Sequence, residues 1–308
     1  MGVVYQADQL GARGFRKRVA LKIIRDEFAR QSRFLENFIG EAKLAADLIH
    51  TNIVQTYHLG ESRGMYYITM EYINGVDLSQ FLAQLAAKGR VLPIELAVFI
   101  ASRVARGLAY AHAKRDADGR LLGIVHRDVH PRNIMIAFEG DVKLTDFGVA
   151  KARGFLHEAE GKTAVGNPEY MSPEQASFGA TDRRSDVFST GVVLAHLLLG
   201  YNIFRGRTPE ESLQKILRMP IPDFHKLDRR ISPELNRILQ KTLARNVEER
   251  FQTADELRDT LEYHIYHKGL GPTNETLGAY VRQLFGQVTP ERVAASRGET
   301  LILHRPLR

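Results

Sequence analysis

Residues 124–148 read IVHRDVHPRNIMIAFEGDVKLTDFG, in which two groups of polar residues are separated by short apolar runs. The first group is HRD at residues 126–128, followed by Asn133, and the second is DFG at residues 146–148. Residues 134–136 and 142–144 are typical of two short β-strands joined by a turn at residues 140–141. A hairpin of this size brings Asp128, Asn133 and Asp146 to one side of the chain.

These three side chains suit a particular chemistry. Carboxylate and amide oxygens are ligands that Mg²⁺ prefers, and a separate carboxylate can accept the proton of a hydroxyl group. The pattern H-R-D-x-x-x-x-N followed by D-F-G resembles the catalytic loop and DFG segment of the protein kinases. Either triplet alone occurs by chance in ordinary loops, but both at this spacing favour a kinase. The resemblance implies an α+β, two-lobed fold, with a small antiparallel-sheet lobe bearing one main helix and a larger, mostly helical lobe.

Composition is consistent with this class of protein. The chain has 308 residues, of which 44% are hydrophobic and 26% are charged, as in a globular protein with a sizeable core. It has no cysteine, which excludes disulfides, thiolate zinc sites and cysteine nucleophiles and fits a cytoplasmic location. The net charge is +7, but the lysine and arginine residues are spread along the chain, so we expect no specific nucleic-acid partner. An excess of positive charge equally suits a site that binds a triphosphate. Residues 187–199 form the longest apolar segment, which is too short to span a bilayer, and no membrane anchor is visible.

The start of the chain resembles the small lobe of a kinase. Gly2 and Val4 match the end of the G-x-G-x-x-G-x-V turn, whose earlier glycines are not in this chain, and VALK at residues 19–22 matches V-A-I-K. A lysine that ends an apolar strand is more often a surface residue, but the later motifs favour a phosphate-binding role for Lys22. Glu41 lies on a predicted helix over 32–48, and the resemblance implies an ion pair between it and Lys22. With the turn incomplete, we expect an exposed strand edge and weak nucleotide binding.

Predicted strands at residues 53–59 and 65–71 complete the small lobe, 1–71. Residues 72–75 form the hinge, 76–266 the large lobe and 267–308 a tail or linker; the resemblance covers about residues 1–266. In the family the hinge binds adenine through main-chain groups, which correspond to the carbonyl of Glu71 and both groups of Ile73. Met70 matches the residue that controls the pocket behind adenine. The resemblance further implies that adenine lies between Val4, Ala20 and Met135.

The large lobe is predicted to be helical, and two tertiary contacts are implied by the resemblance. Helical patterns cover residues 78–88, 94–114, 187–199, 209–217, 233–243 and 254–264, with an amphipathic segment at 277–285 in the tail. The segment at 187–199 is apolar around most of its circumference, so it must be buried centrally. In the family, Asp186 would hold the backbone of the catalytic loop and Arg250 would pair with Glu174. Residues 149–164 lack periodicity and resemble a mobile activation segment.

The resemblance assigns roles to the site residues. Asp128 orients or accepts the proton of the attacking hydroxyl, Asn133 and Asp146 hold Mg²⁺, and Lys22 binds the non-transferred phosphates of ATP. Two positions depart from the family: His130 replaces a lysine that touches the γ-phosphate, and Asn167 replaces the usual threonine. An unperturbed histidine is mostly neutral at pH 7, so this loss of charge costs on the order of tenfold or more in rate.

The function predicted from the sequence is that of a bacterial Hanks-type (eukaryotic-like) Ser/Thr protein kinase that uses ATP and Mg²⁺ and acts on protein substrates. A catalytically impaired, nucleotide-binding scaffold is the alternative, and measurable phosphate transfer distinguishes the two. A small-molecule phosphotransferase is disfavoured by the long activation segment and by Glu174 and Arg250. Arg127 is typical of kinases in which an activation-segment phosphate pairs with it. We therefore expect autophosphorylation at Thr163, which requires self-association if it occurs between two copies.

Overall fold

The small lobe is an antiparallel sheet with one helix, in a computed structural model that describes residues 2–24, 32–62, 64–147, 167–286 and 301–303. Its elements are β1 (Gly2–Leu10), β2 (Arg16–Ile24), α1 (Ser32–Ala46), β3 (Thr56–Ser62) and β4 (Met65–Glu71). The strands lie in the order β3-β4-β2-β1, and β1 and β2 form a long hairpin in which Val4 pairs with Lys22. The predicted strands and helix are therefore present.

The third strand begins later than the sequence pattern predicts. Residues 52–54 bind the large lobe instead: the Leu144 amide donates to the Asn52 carbonyl (2.8 Å), and the Val54 amide donates to the Leu144 carbonyl (2.8 Å). The side-chain amide of Asn52 also donates to the carbonyl of Val142 at 2.8 Å. Residues 52–54, which precede β3, thus join the two lobes. This contact is between segments far apart in sequence, so the local pattern of apolar residues could not predict it.

Part of the edge of β1 is paired with another strand, whereas the sequence analysis predicted an exposed edge. The short strand β8 (Leu301–Leu303) pairs with it in parallel, with Ala7 opposite Leu301 and Gln9 opposite Leu303. The expectation of an exposed edge therefore fails, among the described residues, at residues 7–9 alone. The sequence did not show this pairing because the covering strand comes from the other end of the chain, and a three-residue strand leaves almost no pattern.

A second, three-stranded sheet lies at the top of the large lobe. It contains β5 (Gly75–Asp77), β6 (Ile134–Ala137) and β7 (Val142–Leu144) in the order β5-β6-β7, all antiparallel. The hairpin predicted from residues 124–148 is therefore confirmed. Because β5 directly follows the hinge, this sheet connects the hinge to the catalytic loop.

The helices of the large lobe surround one buried helix. They are α2 (Leu78–Ala87), α3 (Ile94–His112), α4 (Pro173–Ala176), α5 (Arg183–Leu199), α6 (Pro209–Arg218), α7 (Phe224–Leu227), α8 (Pro233–Thr242), α9 (Ala254–Tyr266) and α10 (Asn274–Phe285). Nearly every residue of α5 from Ser185 to Leu198 is buried, and α3, α8 and α9 pack against it. The central position expected for residues 187–199 is confirmed. Asp182 caps the start of α5 by accepting from the amide of Arg184, and Gly200 ends it with a left-handed backbone (φ 79°).

The helix of the tail belongs to the same core. Leu277, Val281 and Leu284 of α10 are fully buried, and the ring of Tyr280 lies 6.2 Å from that of Phe81 on α2. Asn274 donates to the carboxylate of Asp141 in the β6–β7 turn at 2.7 Å. The tail therefore contributes a packed helix as far as Phe285, while the division of the chain at residue 266 stays a prediction. In the ranges given above, no helix is long and apolar enough to cross a membrane.

Candidate active site

Asp186 holds the backbone of the catalytic loop. Its Oδ2 accepts from the amide of His126 at 2.8 Å, and its Oδ1 accepts from the amide of Arg127 at 2.7 Å. His112 on α3 contacts Oδ2 through Nε2, also at 2.8 Å. Burial on its own would raise the pKa of Asp186, but the His112 contact and the His126 amide outweigh it and hold the pKa below its usual range. A fully buried carboxylate thus stays charged and fixes two consecutive amides.

His126 connects the two halves of the site. Its ring is fully buried, its Nε2 donates to the carbonyl of Thr145 at 3.0 Å, and its Nδ1 accepts from the amide of Asp128 at 3.3 Å. These partners require the neutral tautomer with the proton on Nε2. The ring edge also lies against Phe147, with centroids 4.5 Å apart. The loop that carries Asp128 is therefore bonded to the segment that carries Asp146.

The carboxylate of Asp128 is contacted by the two polar residues that follow it. The amide nitrogen of Asn133 donates to Oδ2 at 3.2 Å and to the Asp128 carbonyl at 3.0 Å. His130 places Nε2 3.5 Å from the same Oδ2, while its Nδ1 accepts from the amide of Arg132 at 3.2 Å. Because Nδ1 is used as an acceptor, the ring proton lies on Nε2 and faces the carboxylate. His130 therefore replaces the expected lysine with a buried ring that contacts the predicted catalytic aspartate, Asp128.

Lys22 and Asp146 meet between the lobes. The lysine Nζ lies 2.5 Å from Asp146 Oδ1, although the two residues are far apart in sequence. Burial would raise the pKa of Asp146, but the ammonium group of Lys22 outweighs it, so the pKa lies below the ordinary value. The predicted phosphate lysine and the predicted metal ligand are thus brought together. The side chain of Glu41 lies outside the described residues, so the Lys22–Glu41 pair stays a prediction.

A small cavity lies behind the predicted adenine position. Lys22, Ala45, Val54, Met70 and Phe147 are among the residues that line it. Met70 and Ile73 are buried in one apolar cluster, against which the partly buried Ala20 and Met135 pack from opposite lobes. Ala20 and Met135 therefore flank one apolar cluster, and their contact with adenine stays a prediction.

The hinge offers main-chain groups to a ligand. In the described part of the chain, the amide and the carbonyl of Ile73 take part in no hydrogen bond. The side chain of Glu71 is turned away to Lys143, at 2.9 Å. Val4 is 51% exposed on β1, and Gly2 forms the first residue pair of the β1–β2 hairpin, opposite Ile24.

The segment after the catalytic loop is anchored at its end by an ion pair. Arg250 is buried, and its two terminal nitrogens each donate to one oxygen of Glu174 at 2.8 Å. Ser185 donates to Glu174 as well, at 2.6 Å. Burial would raise the pKa of Glu174, but the hydrogen bonds from Arg250 and Ser185 lower it below the ordinary value. The contact expected between Glu174 and Arg250 is therefore present and bidentate.

Tyr170 links this segment to the region of His130. Its ring lies 6.3 Å from that of His130, and its hydroxyl contacts Nδ1 of His196 at 2.7 Å. Burial lowers the pKa of His196 to about 4 and raises the pKa of Tyr170, so a protonated phenol donates to a neutral ring. The amide of Tyr170 donates to the carbonyl of Asn167 at 3.0 Å. Tyr170 thus lies near His130 through its ring and bonds Asn167 through its amide, while no direct side-chain bond between His130 and Asn167 occurs in the described ranges.

Two regulatory predictions meet the structure only in part. Arg127 has a left-handed backbone (φ 62°), and its buried Nε has no hydrogen-bond partner among the described residues. Thr163 and Gly148 lie outside those residues.

Sequence reasoning missed three residues of the site. His126 is the first residue of the HRD motif, but the motif alone does not show that its ring connects the catalytic loop to Thr145 and Phe147. His112 gave no signal beyond a polar residue on a buried helix. Gln175, whose side chain donates to the carbonyl of Arg127 at 2.8 Å, resembled an ordinary helix residue. All three act through contacts with distant segments.

Comparisons with known proteins agree with this geometry. The family described as protein kinase domain matches residues 1–261. The Tyrosine-protein kinase MasK of Myxococcus xanthus is 35% identical over 287 residues, which is 93% of this chain and 44% of that protein. The Serine/threonine-protein kinase PrkC of Bacillus subtilis is 34% identical over 78% of this chain and 35% of its own length. The Serine/threonine-protein kinase PknB of Mycobacterium tuberculosis is 36% identical over 79% of this chain and 38% of its own length.

A solved structure gives the same result. The crystal structure of the Mycobacterium tuberculosis PknI kinase domain superimposes with a TM-score of 0.63 at 26% identity, covering 85% of this chain and 90% of that one. The chain spans less than half the length of the curated relatives it matches. The comparisons therefore concern the part of those relatives that aligns with this chain.

Proposed function

Because the chain belongs to the protein kinase family, we propose that it transfers the γ-phosphate of ATP to serine and threonine hydroxyl groups of other proteins. One observation carries the proposal: Lys22 meets Asp146, Asn133 meets Asp128, and the amide of Thr145 joins the two pairs by donating to the carbonyl of Asn133 at 3.0 Å. The contacts are Lys22 with Asp146 at 2.5 Å and Asn133 with Asp128 at 3.2 Å. These are the groups that phosphoryl transfer needs for positioning and charge neutralisation.

The residues fit Mg²⁺ together with a nucleotide. Among the described residues no cluster of three acidic, histidine or cysteine side chains could hold a metal ion alone. Asp146 and the amide oxygen of Asn133 supply two oxygen ligands, which suits an ion that keeps water and phosphate oxygens as its other ligands. When bound, the ion neutralises charge on the phosphates. Asn133 already directs its amide nitrogen to Asp128, which leaves its oxygen for the metal.

Lys22 would bind the α- and β-phosphates. It is 8% exposed, so its ammonium group is largely removed from water and needs an anionic partner. Asp146 is that partner in this structure, and the nucleotide phosphates would share or replace it. Ion pairing with Glu41 would then orient the lysine.

Asp128 would orient the attacking hydroxyl and accept its proton. Two groups that contact one oxygen, from Asn133 and His130, restrict rotation of the carboxylate. A positioned general base of this kind contributes typically 10²–10⁴-fold to the rate. The retained base, metal ligands and lysine disfavour the alternative of an impaired scaffold.

Phosphate transfer to a generic basic protein tests the proposal. With labelled ATP and Mg²⁺ we expect incorporation by this chain and a loss of at least about a hundredfold in Asp128→Asn, since the general base is removed. Asp118→Asn, in an exposed loop, is the matched control and should keep full activity. Because one relative is named a tyrosine kinase, the labelled amino acid must be identified; phosphotyrosine alone would contradict the serine and threonine assignment. Absence of incorporation with intact nucleotide binding would favour the scaffold.

We further propose that the chain phosphorylates Thr163, one copy acting on another, in the cytoplasm. The buried Nε of Arg127, which has no hydrogen-bond partner in the part of the chain that the structure describes, supports a site for an anion beside the catalytic loop. A phosphate adds nearly two negative charges that can pair with an arginine. Mass spectrometry should find phosphate on Thr163 in the active chain and not in Asp128→Asn, and Thr163→Ala should lower activity. A fully active enzyme with unmodified Thr163 would remove this hypothesis.

A further inference from the structure

The turn of the β1–β2 hairpin is a positively charged projection with an exposed aromatic residue. It is the segment GARGFRKR at residues 11–18, here termed the basic tip, and every one of its residues is exposed. Phe15 has 62% of its surface exposed although it is a large apolar side chain. Four of the eight residues are arginine or lysine, so an apolar residue and several cations share one small surface.

The basic tip is an ordered turn. The amide of Gly11 donates to the carbonyl of Phe15 at 2.8 Å, and the amide of Phe15 donates to the carbonyl of Ala12 at 3.1 Å. Arg13 and Gly14 have left-handed backbones (φ 53° and 80°) that close the turn. A side chain at Gly14 would meet no atom within 4 Å, so the tip is convex and projects into open space.

The cations of the basic tip are poorly neutralised. Arg18 lies 4.0 Å from the carboxylate of Asp8, while no carboxylate of the described residues pairs with Arg13, Arg16 or Lys17. Lys17 instead lies over the ring of Tyr57, 3.7 Å from its centroid. Since successive residues of a strand point to opposite faces, Arg16 and Arg18 lie on one face and Lys17 on the other. Positive charge therefore surrounds the tip instead of occupying one face.

We propose that the basic tip binds the surface of an anionic lipid bilayer, with Phe15 inserted among the headgroups. A convex tip has no groove for a peptide, but it can approach a flat surface with all its cations. Arginine and lysine are attracted by the negative potential of acidic lipids. Burial of an aromatic ring in the membrane interface lowers the free energy of binding further. The attraction acts within about 8–10 Å of the surface at physiological salt, which a projecting turn can reach.

The proposed contact leaves the active site accessible. Arg16 and Lys22 lie on the same strand, and six residues at about 3.3 Å each separate them by roughly 20 Å. Membrane binding and phosphate transfer can therefore be measured independently. The inference does not depend on the proposed kinase activity, since it uses none of its residues.

Fluorescence of a single introduced tryptophan tests the insertion. The chain has no tryptophan, so Phe15→Trp in the full chain reports on this position alone under selective excitation. We expect its emission to shift to shorter wavelength with vesicles of phosphatidylcholine and phosphatidylglycerol, and not with phosphatidylcholine alone. The shift should be reversed by high salt. No shift with acidic vesicles, or an equal shift with RNA or soluble polyglutamate, would overturn the proposal.

Charge reversal at the tip tests the electrostatic part by co-sedimentation with the same vesicles. Arg16→Glu with Lys17→Glu should weaken binding at least about tenfold, because each cation near the surface contributes to the attraction. Lys226→Glu with Arg229→Glu changes net charge equally at exposed positions of the large lobe and should retain binding. Far-ultraviolet circular dichroism and thermal denaturation of both variants verify their folding. Equal losses in the two variants would show a general charge effect and defeat the assignment to the tip.

Discussion

Two residues of the candidate site have a backbone conformation that their type rarely adopts. Arg127 and Asp146 both have a φ of 62°, in the left-handed region that favours glycine. The Arg127 amide and carbonyl are held by Asp186 and Gln175. Asp146 is held by Lys22. Strained residues of this kind persist only where surrounding contacts over-determine them, and they cluster at functional sites. The strain here falls on the two segments to which the proposed function assigns the chemistry.

His130 and Asn167 should act as a coupled pair. His130 contacts Asp128, and its ring lies 6.3 Å from the ring of Tyr170, whose backbone amide donates to the carbonyl of Asn167. His130→Lys removes both the acceptor for the Arg132 amide and the contact with Asp128, so kcat should change. Adding Asn167→Thr should alter that change by about 0.5 kcal/mol or more, as for residues that share a common partner, here Tyr170. A kinetic double-mutant cycle measures the coupling, and strictly additive free energies would show independent positions.

At the scale of elements, α10 holds the hairpin of the active site through two glycines. A Cβ on Gly278 would lie 2.7 Å from the backbone of Glu139, and one on Gly140 would lie 1.7 Å from the carbonyl oxygen of Asn274. The backbones of the helix and of the β6–β7 turn therefore touch directly. Because this hairpin connects Asn133 to Asp146, α10 indirectly supports both predicted metal ligands.

Gly278→Ala should destabilise the protein despite the better helix propensity of alanine. The methyl group meets backbone atoms that cannot rotate away, so we expect a loss of about 1–3 kcal/mol in the free energy of unfolding. Gly40→Ala is the matched control, since it lies inside α1 with nothing within 4 Å and should gain roughly 0.5–1 kcal/mol. Urea denaturation followed by circular dichroism measures both. Equal increases in the free energy of unfolding of the two variants would show that α10 and the β6–β7 turn can move apart without destabilising the protein.

At the scale of the whole molecule, the pair Glu174–Arg250 joins three parts of the large lobe. It connects α4 to the loop before α9, while Ser185 on α5 donates to the same carboxylate. The folded pKa of Glu174 lies below its ordinary value. The carboxylate therefore stabilises the fold fully above the ordinary pKa, and this contribution is lost as the pH falls towards the folded pKa.

Glu174→Gln should remove part of the acid sensitivity of the protein. At neutral pH the variant should lose about 3–5 kcal/mol, because Arg250 is left buried without its anion. The difference from the unchanged chain should shrink as the pH falls from the ordinary pKa of glutamate towards the lower folded pKa, because the carboxyl of Glu174 is protonated first in the unfolded chain and then in the folded one. Glu248→Gln, at an exposed partner of Arg184, should cost at most about 1 kcal/mol. Thermal denaturation across the acid range measures both, and a difference independent of pH would contradict the assignment.

The sequence by itself determined the fold class and named most residues of the candidate site. The spacing of Asp128, Asn133 and Asp146 and the alternation around them predicted the β6–β7 hairpin, because a hairpin is formed by neighbouring residues. The all-round apolar pattern of residues 187–199 predicted a central helix, because burial follows from composition. Motif order then identified Lys22, although its partner in this structure is Asp146.

Only the tertiary structure decided the contacts between distant segments. Three of these contacts join residues that are far apart in sequence. His112 and the amide of His126 bind Asp186, β8 pairs with part of β1, and α10 packs on the β6–β7 turn. Such contacts depend on the approach of two surfaces in space and leave no periodic pattern along the chain. In the sequence, nothing therefore distinguishes a buried histidine, a three-residue strand or a tightly packed glycine from ordinary residues. Their roles depend on partners that only the folded chain brings close.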